Sequence, residues 1–309
     1  MSESTIEKRE GGVLVTGATG LIGGQLLPGL RDRFAWVRTL SRSGSSPASG
    51  IDARTWDGID PGTSTLDGVE TIVHLAGEPI FGGAPTAARL ARVRSSRIES
   101  TRRMVERIAE RPAAERPFTF VCASAVGIYP DSGDTPLDES AANGDGFLSR
   151  VCQDWESTAQ AATAEGVRVV NVRIGVVLDR DGGALGLMRL PFSLGVGGRL
   201  GSGRQYFPWI HVDDLVRVLL LAVDEPLEGA INAVGPEAAR NSDLTRELGR
   251  VLRRPAFIPV PAFAIRLALG DLASELLDSK RVVPARLEAA GFEFDHPTLA
   301  GALEAELGK

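Results

Sequence analysis

Val13-Leu14-Val15-Thr16-Gly17-Ala18-Thr19-Gly20-Leu21-Ile22-Gly23 is a short apolar run that enters a turn with glycines at 17, 20 and 23 and leaves it as a helical pattern. Gly17 permits the tight turn off a strand, Gly20 lets backbone approach a pyrophosphate with no Cβ between, and Gly23 lets the new helix sit close on the sheet. The first turn of that helix offers unbonded N–H groups and the positive end of its dipole to phosphate, with Thr19, Leu21 and Ile22 supplying backbone around it. A glycine triplet alone says little, and a Gly-rich loop is the competing reading. Here the triplet follows a β-type run and opens a helix, the context that a dinucleotide site requires.

Beyond this turn β and α signals alternate. Strands are expected at 13–16, 36–40, 53–56, 71–75, 118–123 and 167–174, with helices at 20–31, 86–110 and 148–164. Pro112 lies past the end of the long helix and Gly166 breaks the next one. Such alternation predicts an α/β fold, a Rossmann-type doubly wound parallel sheet with ligands outside the carboxyl ends of its strands. Past residue 178 the pattern changes. Residues 181–203 are Gly-rich, Pro208 to Asp214 leads into an apolar helix at 215–223, and 230–234 reads as one more strand. Residues 241–309 read as helical pieces broken at Pro255, Pro259, Pro261, Pro284 and Pro297. We expect a disordered tail at 1–11, a nucleotide-binding domain at 12–178 to which 205–234 returns, and a smaller, mainly helical substrate-side lobe from 179–204 and 235–309. Residues 44–50 read as a flexible loop.

At 309 residues the chain buries about three quarters of its unfolded surface and needs no staples. Glycine is enriched, 36 residues or about 12% against ~7% on average, and much of the excess lies in loops that can face a ligand. The net charge of −6 argues against nucleic acid and against an anionic membrane surface. The helix at 86–110 is arginine-rich, but Glu99, Glu106 and Glu110 are interleaved, so a solvated face is the reading there. Cys122 and Cys152 make no disulfide framework, no stretch of 18 apolar residues occurs, and the first ten residues carry no apolar targeting core. Cytoplasmic placement is expected.

The preferred cofactor is NADP(H). An acid at the end of the second strand would hold the free ribose 2′-hydroxyl of NAD, but that strand ends in Leu40-Ser41-Arg42-Ser43 and the next acid is Asp52. A guanidinium and two hydroxyls suit a 2′-phosphate; a solvated Arg42 is the alternative. Trp56 and Asp57 are placed beside the adenine, and Leu75-Ala76-Gly77 and Ala123, at strand ends, under the rest of the dinucleotide.

Thr16 to Gly23, His74-Leu75-Ala76-Gly77, Ala123-Ser124-Ala125-Val126-Gly127-Ile128-Tyr129 and Trp209-Ile210-His211-Val212-Asp213-Asp214-Leu215 resemble the extended short-chain dehydrogenase/reductase superfamily. Val151 to Glu156, Gly175 to Leu178, Asp181 to Leu185 and Leu200 to Gln205 are similar to its atypical branch of epimerase family proteins. The stretches Arg281 to Leu287 and Gly291 to Phe294 resemble that branch's C-terminal domain of unknown function. The resemblance spans about residues 12 to 306. It implies a Rossmann fold, NADP(H) and a small-molecule substrate, and allows the homodimer that relatives often form; it names no substrate.

The departures concern chemistry. Members of the superfamily pair a Ser with Tyr-x-x-x-Lys, the phenol moving a proton while hydride moves to or from the nicotinamide. Ser124 matches the Ser. Aligning on Glu156 puts Leu148 at the Tyr position and Cys152 at the Lys position, and the chain has no Tyr between 130 and 205 and no Lys between 9 and 279. Arg97 stands where the superfamily has an Asn. Tyr129, five residues past Ser124, is read as an acid over the crevice or as a half-buried lid. Glu78 faces substrate, caps a helix or is simply solvated, and Cys152 lines the nicotinamide pocket or is an inert buried thiol. Arg173 binds an acidic substrate group or pairs with a carboxylate, and Gln205 and Trp209 are candidates to touch substrate. For His211 the reading is structural, with Asp213 or Asp214 capping the next helix, and no metal is expected because the three histidines do not share ligand spacing with the cysteines. Two classes remain: an NADP(H)-dependent oxidoreductase with Ser124 on a substrate carbonyl, and a non-catalytic NADP(H)-binding sensor or scaffold. Sugar-nucleotide epimerisation ranks third, since it needs the missing Tyr.

Overall fold

The apolar run before Gly17 becomes β1 (Arg9–Thr16). In the computed structural model, which describes residues 8–45 and 48–308, α1 (Leu21–Arg33), β2 (Phe34–Ser41), β3 (Asp52–Thr55), β4 (Val69–His74), α2 (Ala87–Ala109) and β5 (Thr119–Ala125) follow. Next come a short β6 (Pro136–Leu137), α3 (Phe147–Gln160), β7 (Arg168–Ile174), β8 (Val176–Asp179) and α4 (Gly183–Ser193). After them run β9 (Tyr206–Phe207), β10 (Trp209–His211), α5 (Val212–Asp224), β11 (Gly229–Ala233), β12 (Ala239–Arg240) and α6 (Asn241–Leu252). The last elements are α7 (Ala262–Leu269), α8 (Ser274–Leu277), β13 (Arg281–Val282), α9 (Ala285–Ala289) and α10 (Leu299–Leu307).

Seven strands pair in the order β11-β7-β5-β4-β1-β2-β3, all parallel. The chain order reverses between β1 and β4, where Thr16 stands opposite His74, so a ligand crevice opens there. Helices cover both faces, which is why the central strands read as near-continuous apolar runs. On one face Leu26, Leu27 and Leu30 of α1 pack with Leu215, Val218 and Leu219 of α5. On the other, Met104 and Ile108 of α2 pack with Trp155 and Ala159 of α3. Among the described residues no helix is long and apolar enough to cross a membrane.

Three sequence expectations change. Residues 9–11, expected in a disordered tail, belong to β1, and Arg9 is paired with Asp224 at 3.2 Å; residues 1–7 lie outside the described residues. Of the loop expected at 44–50, residues 46 and 47 also lie outside. The Gly-rich stretch 181–203 holds a helix, α4, whose buried side is Leu185 and Phe192, seven positions apart. Its glycines masked that period because they sit at its start and just past its end. Within 205–234, β11 joins the main sheet and α5 covers it, while β9 and β10 pair with β12 and β8 in two small sheets. The small sheet of β6 and β13 ties the C-terminal segment to the loop after β5.

Candidate functional site

The turn from β1 into α1 forms a cradle. Gly17 has φ +74°, and a Cβ there would stand 2.9 Å from the Ala76 nitrogen. One on Gly23 would stand 2.3 Å from the Gly17 oxygen. Both positions are closed to any side chain. Gly20 differs: a Cβ there meets only the Gly17 oxygen, at 3.2 Å, and otherwise points into open space. Gly20 is also the N-cap of α1, with no side-chain cap and no acid in the first turn. The helix start is therefore uncapped beside exposed Thr19 and Gly20, with Leu21 and Ile22 half-buried behind them, which fits a pyrophosphate.

At the end of β2, Ser41 is buried and donates to the Ser45 oxygen at 2.8 Å, and the Ser43 hydroxyl meets that of Ser45. Arg42 between them is exposed and forms no ion pair among the described residues. Asp52, the next acid, is taken by Arg38 at 2.6 Å and Arg54 at 3.0 Å, so it is committed to guanidinium partners. Asp57 is exposed and accepts from the Ile59 and Asp60 nitrogens, closing its own turn. Trp56 is buried beneath it, with its indole nitrogen unpartnered.

The ends of β1 and β4 are locked by one chain of hydrogen bonds. The Ala76 nitrogen donates to Thr16 Oγ1, whose hydroxyl lies 2.8 Å from His74 Nδ1. His74 Nε2 lies 3.2 Å from Ser100 Oγ, which donates to the Ser96 oxygen at 2.7 Å. Because Ser100 spends its proton on that oxygen, His74 carries its own on Nε2 and accepts from Thr16. Burial pulls the imidazole down to about 4, so it is neutral. This clamp fixes Leu75, Ala76 and Gly77 at the crevice edge. Glu78 donates its backbone N–H to Ser96 Oγ. Behind Gly77 lies Arg97, which donates to the Glu78 and Val93 oxygens and stands 5.2 Å from the Trp155 ring. Burial lowers the basicity of Arg97; Cys152 and Glu78 oppose the effect.

Beyond Ala123, Ser124 at the end of β5 donates to Glu156 Oε1 at 2.6 Å. Arg173 on β7 grips the same carboxylate with Nε and Nη2, both at 2.9 Å. Its Nη1 donates to the Tyr129 hydroxyl at 2.8 Å, and Tyr129 donates onward to Asn232 Oδ1 at 2.7 Å. Asn232 in turn donates to the Leu137 and Val283 oxygens. Burial works against the Arg173 charge, but Glu156 and Tyr129 hold the guanidinium protonated. Burial also raises the Tyr129 phenol, with Arg173 opposing. Tyr129 is 1% exposed and its proton points at Asn232, so it does not lie over the crevice. Arg173, of the two readings, pairs with a carboxylate.

The substrate-side candidates scatter. Cys152 is buried on α3, its thiol pushed up to about 12 by burial, which makes it a poor nucleophile. Gln205 spends its amide protons on the Leu200 and Leu276 oxygens, at 3.0 and 2.9 Å. Trp209 is 1% exposed in the C-terminal core and donates to the Glu237 oxygen. These two support the lobe from inside. His211, not an aspartate, caps α5, with Nδ1 accepting from the Asp213 nitrogen at 3.1 Å; Asp214 instead accepts from the nitrogens of Asp295 and His296. His296 stacks on His211 at 3.6 Å, and with Asp213 their donor atoms lie within 4.8 Å of one another, a grouping that spacing along the chain did not signal.

The sequence reading also missed Glu275 and Lys280. Lys280 Nζ donates to both Glu275 oxygens at 3.0 Å, in a segment that covers α3. The only signal was scarcity, one lysine between residues 9 and 308.

Residues 13–234 match the NAD dependent epimerase/dehydratase family, and 260–306 match a domain of unknown function, DUF1731. An epimerase family protein SDR39U1 homolog, chloroplastic, from Arabidopsis thaliana is 40% identical over 300 residues, covering 95% of this chain and 86% of the relative. The Bos taurus epimerase family protein SDR39U1 is 40% identical over 298 residues, covering 94% and 98%. The crystal structure of human SDR39U1 (isoform 2), solved with NADPH, superposes with a TM-score of 0.85 at 35% identity, covering 96% of this chain and 99% of that one. The cradle, the parallel sheet and these matches over nearly the whole length agree: the chain belongs to the NAD dependent epimerase/dehydratase family, in its SDR39U1-like branch with a C-terminal DUF1731 domain.

Proposed function

We propose that this protein is an NADP(H)-dependent oxidoreductase acting on a small carbonyl or alcohol substrate. The uncapped start of α1, where a Cβ on Gly20 would meet only the Gly17 oxygen, supports the cofactor, and the observation that carries the chemistry is Ser124, held by Glu156 at the end of β5. NADPH in the human relative's structure supports the same cofactor here. Gly17 to Gly23 would hold the pyrophosphate, and Arg42 with Ser41 and Ser43 the 2′-phosphate. Leu75 to Gly77 and Ala123 would line the floor, and Asp57 the adenine end. Bound there, the nicotinamide supplies or accepts hydride. Ser124 orients the substrate oxygen: its hydroxyl proton lies on Glu156, so its lone pairs accept from a substrate alcohol, and a turn of the hydroxyl presents the proton to a carbonyl. The Glu156–Arg173 pair holds that serine in place. A reducing compartment, read as the cytoplasm, suits the two free, buried thiols.

A second reading, an NADP(H)-binding sensor without turnover, is favoured by one observation. Leu148 and Cys152 occupy the relay positions as buried side chains, and Tyr129 is committed inside the protein. The test is to follow NADPH absorbance with aldehydes, ketones and quinones. Turnover lost in Ser124→Ala supports the oxidoreductase; saturable NADPH binding with no oxidation of NADPH by any of them supports the sensor.

A further inference from the structure

We infer that Glu275, held by Lys280, is the proton-transfer residue of this crevice, delivered by the C-terminal segment to the place where α3 lacks a tyrosine and a lysine. The inference rests on the oxidoreductase reading. Leu148, at the tyrosine position, is buried against Val93 and Leu272, so the C-terminal segment lies directly over that face of α3. Three residues later on that segment comes Glu275. A Cβ built on Gly127, just past Ser124, would meet Glu275 Oε2 at 3.2 Å and Leu148 Cβ at 3.5 Å. The carboxylate therefore stands beside Gly127, two residues past β5, and close to Leu148 at the tyrosine position. Its charge also reaches Cys152, at the lysine position, where it helps keep the thiol protonated.

The pair is built to stay. The Glu275 side chain is 16% exposed and that of Lys280 6%. Burying two charges is a poor way to gain stability, so such a pair points to a purpose besides folding. The strap that carries it is anchored on both sides. Gln205 donates to the Leu276 oxygen, while Ser279 takes Asp131 Oδ1 on its nitrogen and gives its hydroxyl proton to the Gly133 oxygen. Burial raises the Glu275 carboxyl above the ordinary glutamate range, with Lys280 opposing and the charge of Asp278 adding to the rise. From α3 the neutral Cys152 thiol faces it. A carboxyl tuned upward and still partly open to solvent can exchange a proton with it.

In the reducing direction the substrate's carbonyl carbon receives hydride from a reduced nicotinamide, the C=O π bond breaks, and the carbonyl oxygen takes the Glu275 proton. An alcohol results; the carboxylate is balanced by the Lys280 ammonium and regains its proton from water. The oxidising direction runs the same path backwards.

The experiment has two arms on the full-length protein. In the first, Glu275→Gln and the double variant Glu275→Gln/Lys280→Met, which leaves no unpaired ammonium, are compared with wild type. NADPH affinity is expected to stay within about twofold while kcat falls about 100-fold or more, with part regained in Glu275→Asp. In the second, the Glu275 side-chain carboxyl is titrated by 13C NMR and assigned by its loss in Glu275→Gln. Its midpoint is expected to fall when NADP+ replaces NADPH, because the oxidised ring carries a positive charge, and to rise in Lys280→Met. Wild-type turnover that persists in Glu275→Gln overturns the inference, as does a midpoint indifferent to the cofactor's oxidation state. If wild type oxidises NADPH with no carbonyl tried, the oxidoreductase reading fails, and the titration alone then decides whether Glu275 faces the nicotinamide.

Discussion

The proposed 2′-phosphate contact rests on Arg42, exposed just past the end of β2. A lost charge-assisted contact to phosphate costs about 1.5–3 kcal/mol, so Arg42→Ala is expected to weaken NADPH roughly 10- to 100-fold and leave NADH nearly unchanged in calorimetry. Equal losses for both would remove the 2′-phosphate assignment. Gly20→Val separates cradle from fold. Its Cβ meets a single atom, the Gly17 oxygen at 3.2 Å, so the protein should melt modestly below wild type yet bind no NADPH; Gly23→Val, driven to 2.3 Å from the same oxygen, should unfold instead. His74 sets an acid limit. Its imidazole titrates near 4 in the folded state against about 6.5 unfolded, so the unfolded chain takes the proton first. The stability tied to it is whole above about pH 6.5 and is lost as pH falls toward 4. Melting temperature followed over that window should fall less steeply in His74→Gln, and an identical slope would deny His74 its neutral state. At this scale the glycines were legible because their reasons are local. The partners of Ser124, Tyr129 and Arg173 were not, because Glu156 on α3 and Asn232 on β11 meet them only once helix and strands have packed.

Between elements, one half-buried carboxylate, Glu156, joins α3 to β5 and β7. Arg173→Met leaves Glu156 charged and unpaired, for a loss of about 3–5 kcal/mol. Removing both charges in Glu156→Gln/Arg173→Met should recover a good part of it in denaturant titration. If the double variant is as unstable as the single one, the pair is not the clamp described here. Strands and long helices were legible in the sequence because β-branched runs and helical apolar periods alternate from β1 to β7. α4 was not, since glycines at its ends outweighed an apolar period only two turns long. Gln205 and Trp209 read as substrate contacts because they sit beside Gly-rich loops, but their N–H donors are spent on backbone oxygens of the lobe.

Over the whole molecule, the fold brings a C-terminal segment across the mouth of a nucleotide-binding sheet. The sequence announced the sheet and its cradle plainly, and it announced the missing relay just as plainly. It could not announce that residues more than a hundred positions past α3 lie on that helix, because nothing local encodes a long-range docking. The cradle is common to both functional readings, and each needs a dinucleotide seated on α1. Calorimetric titration of NADPH into the wild-type protein settles that question. Saturable heat with one site per chain, and weaker binding of NADH under the same conditions, is the expected outcome; no saturable heat with NADPH, NADP+, NADH or NAD+ would leave the cradle without a ligand and the proposed chemistry without a cofactor.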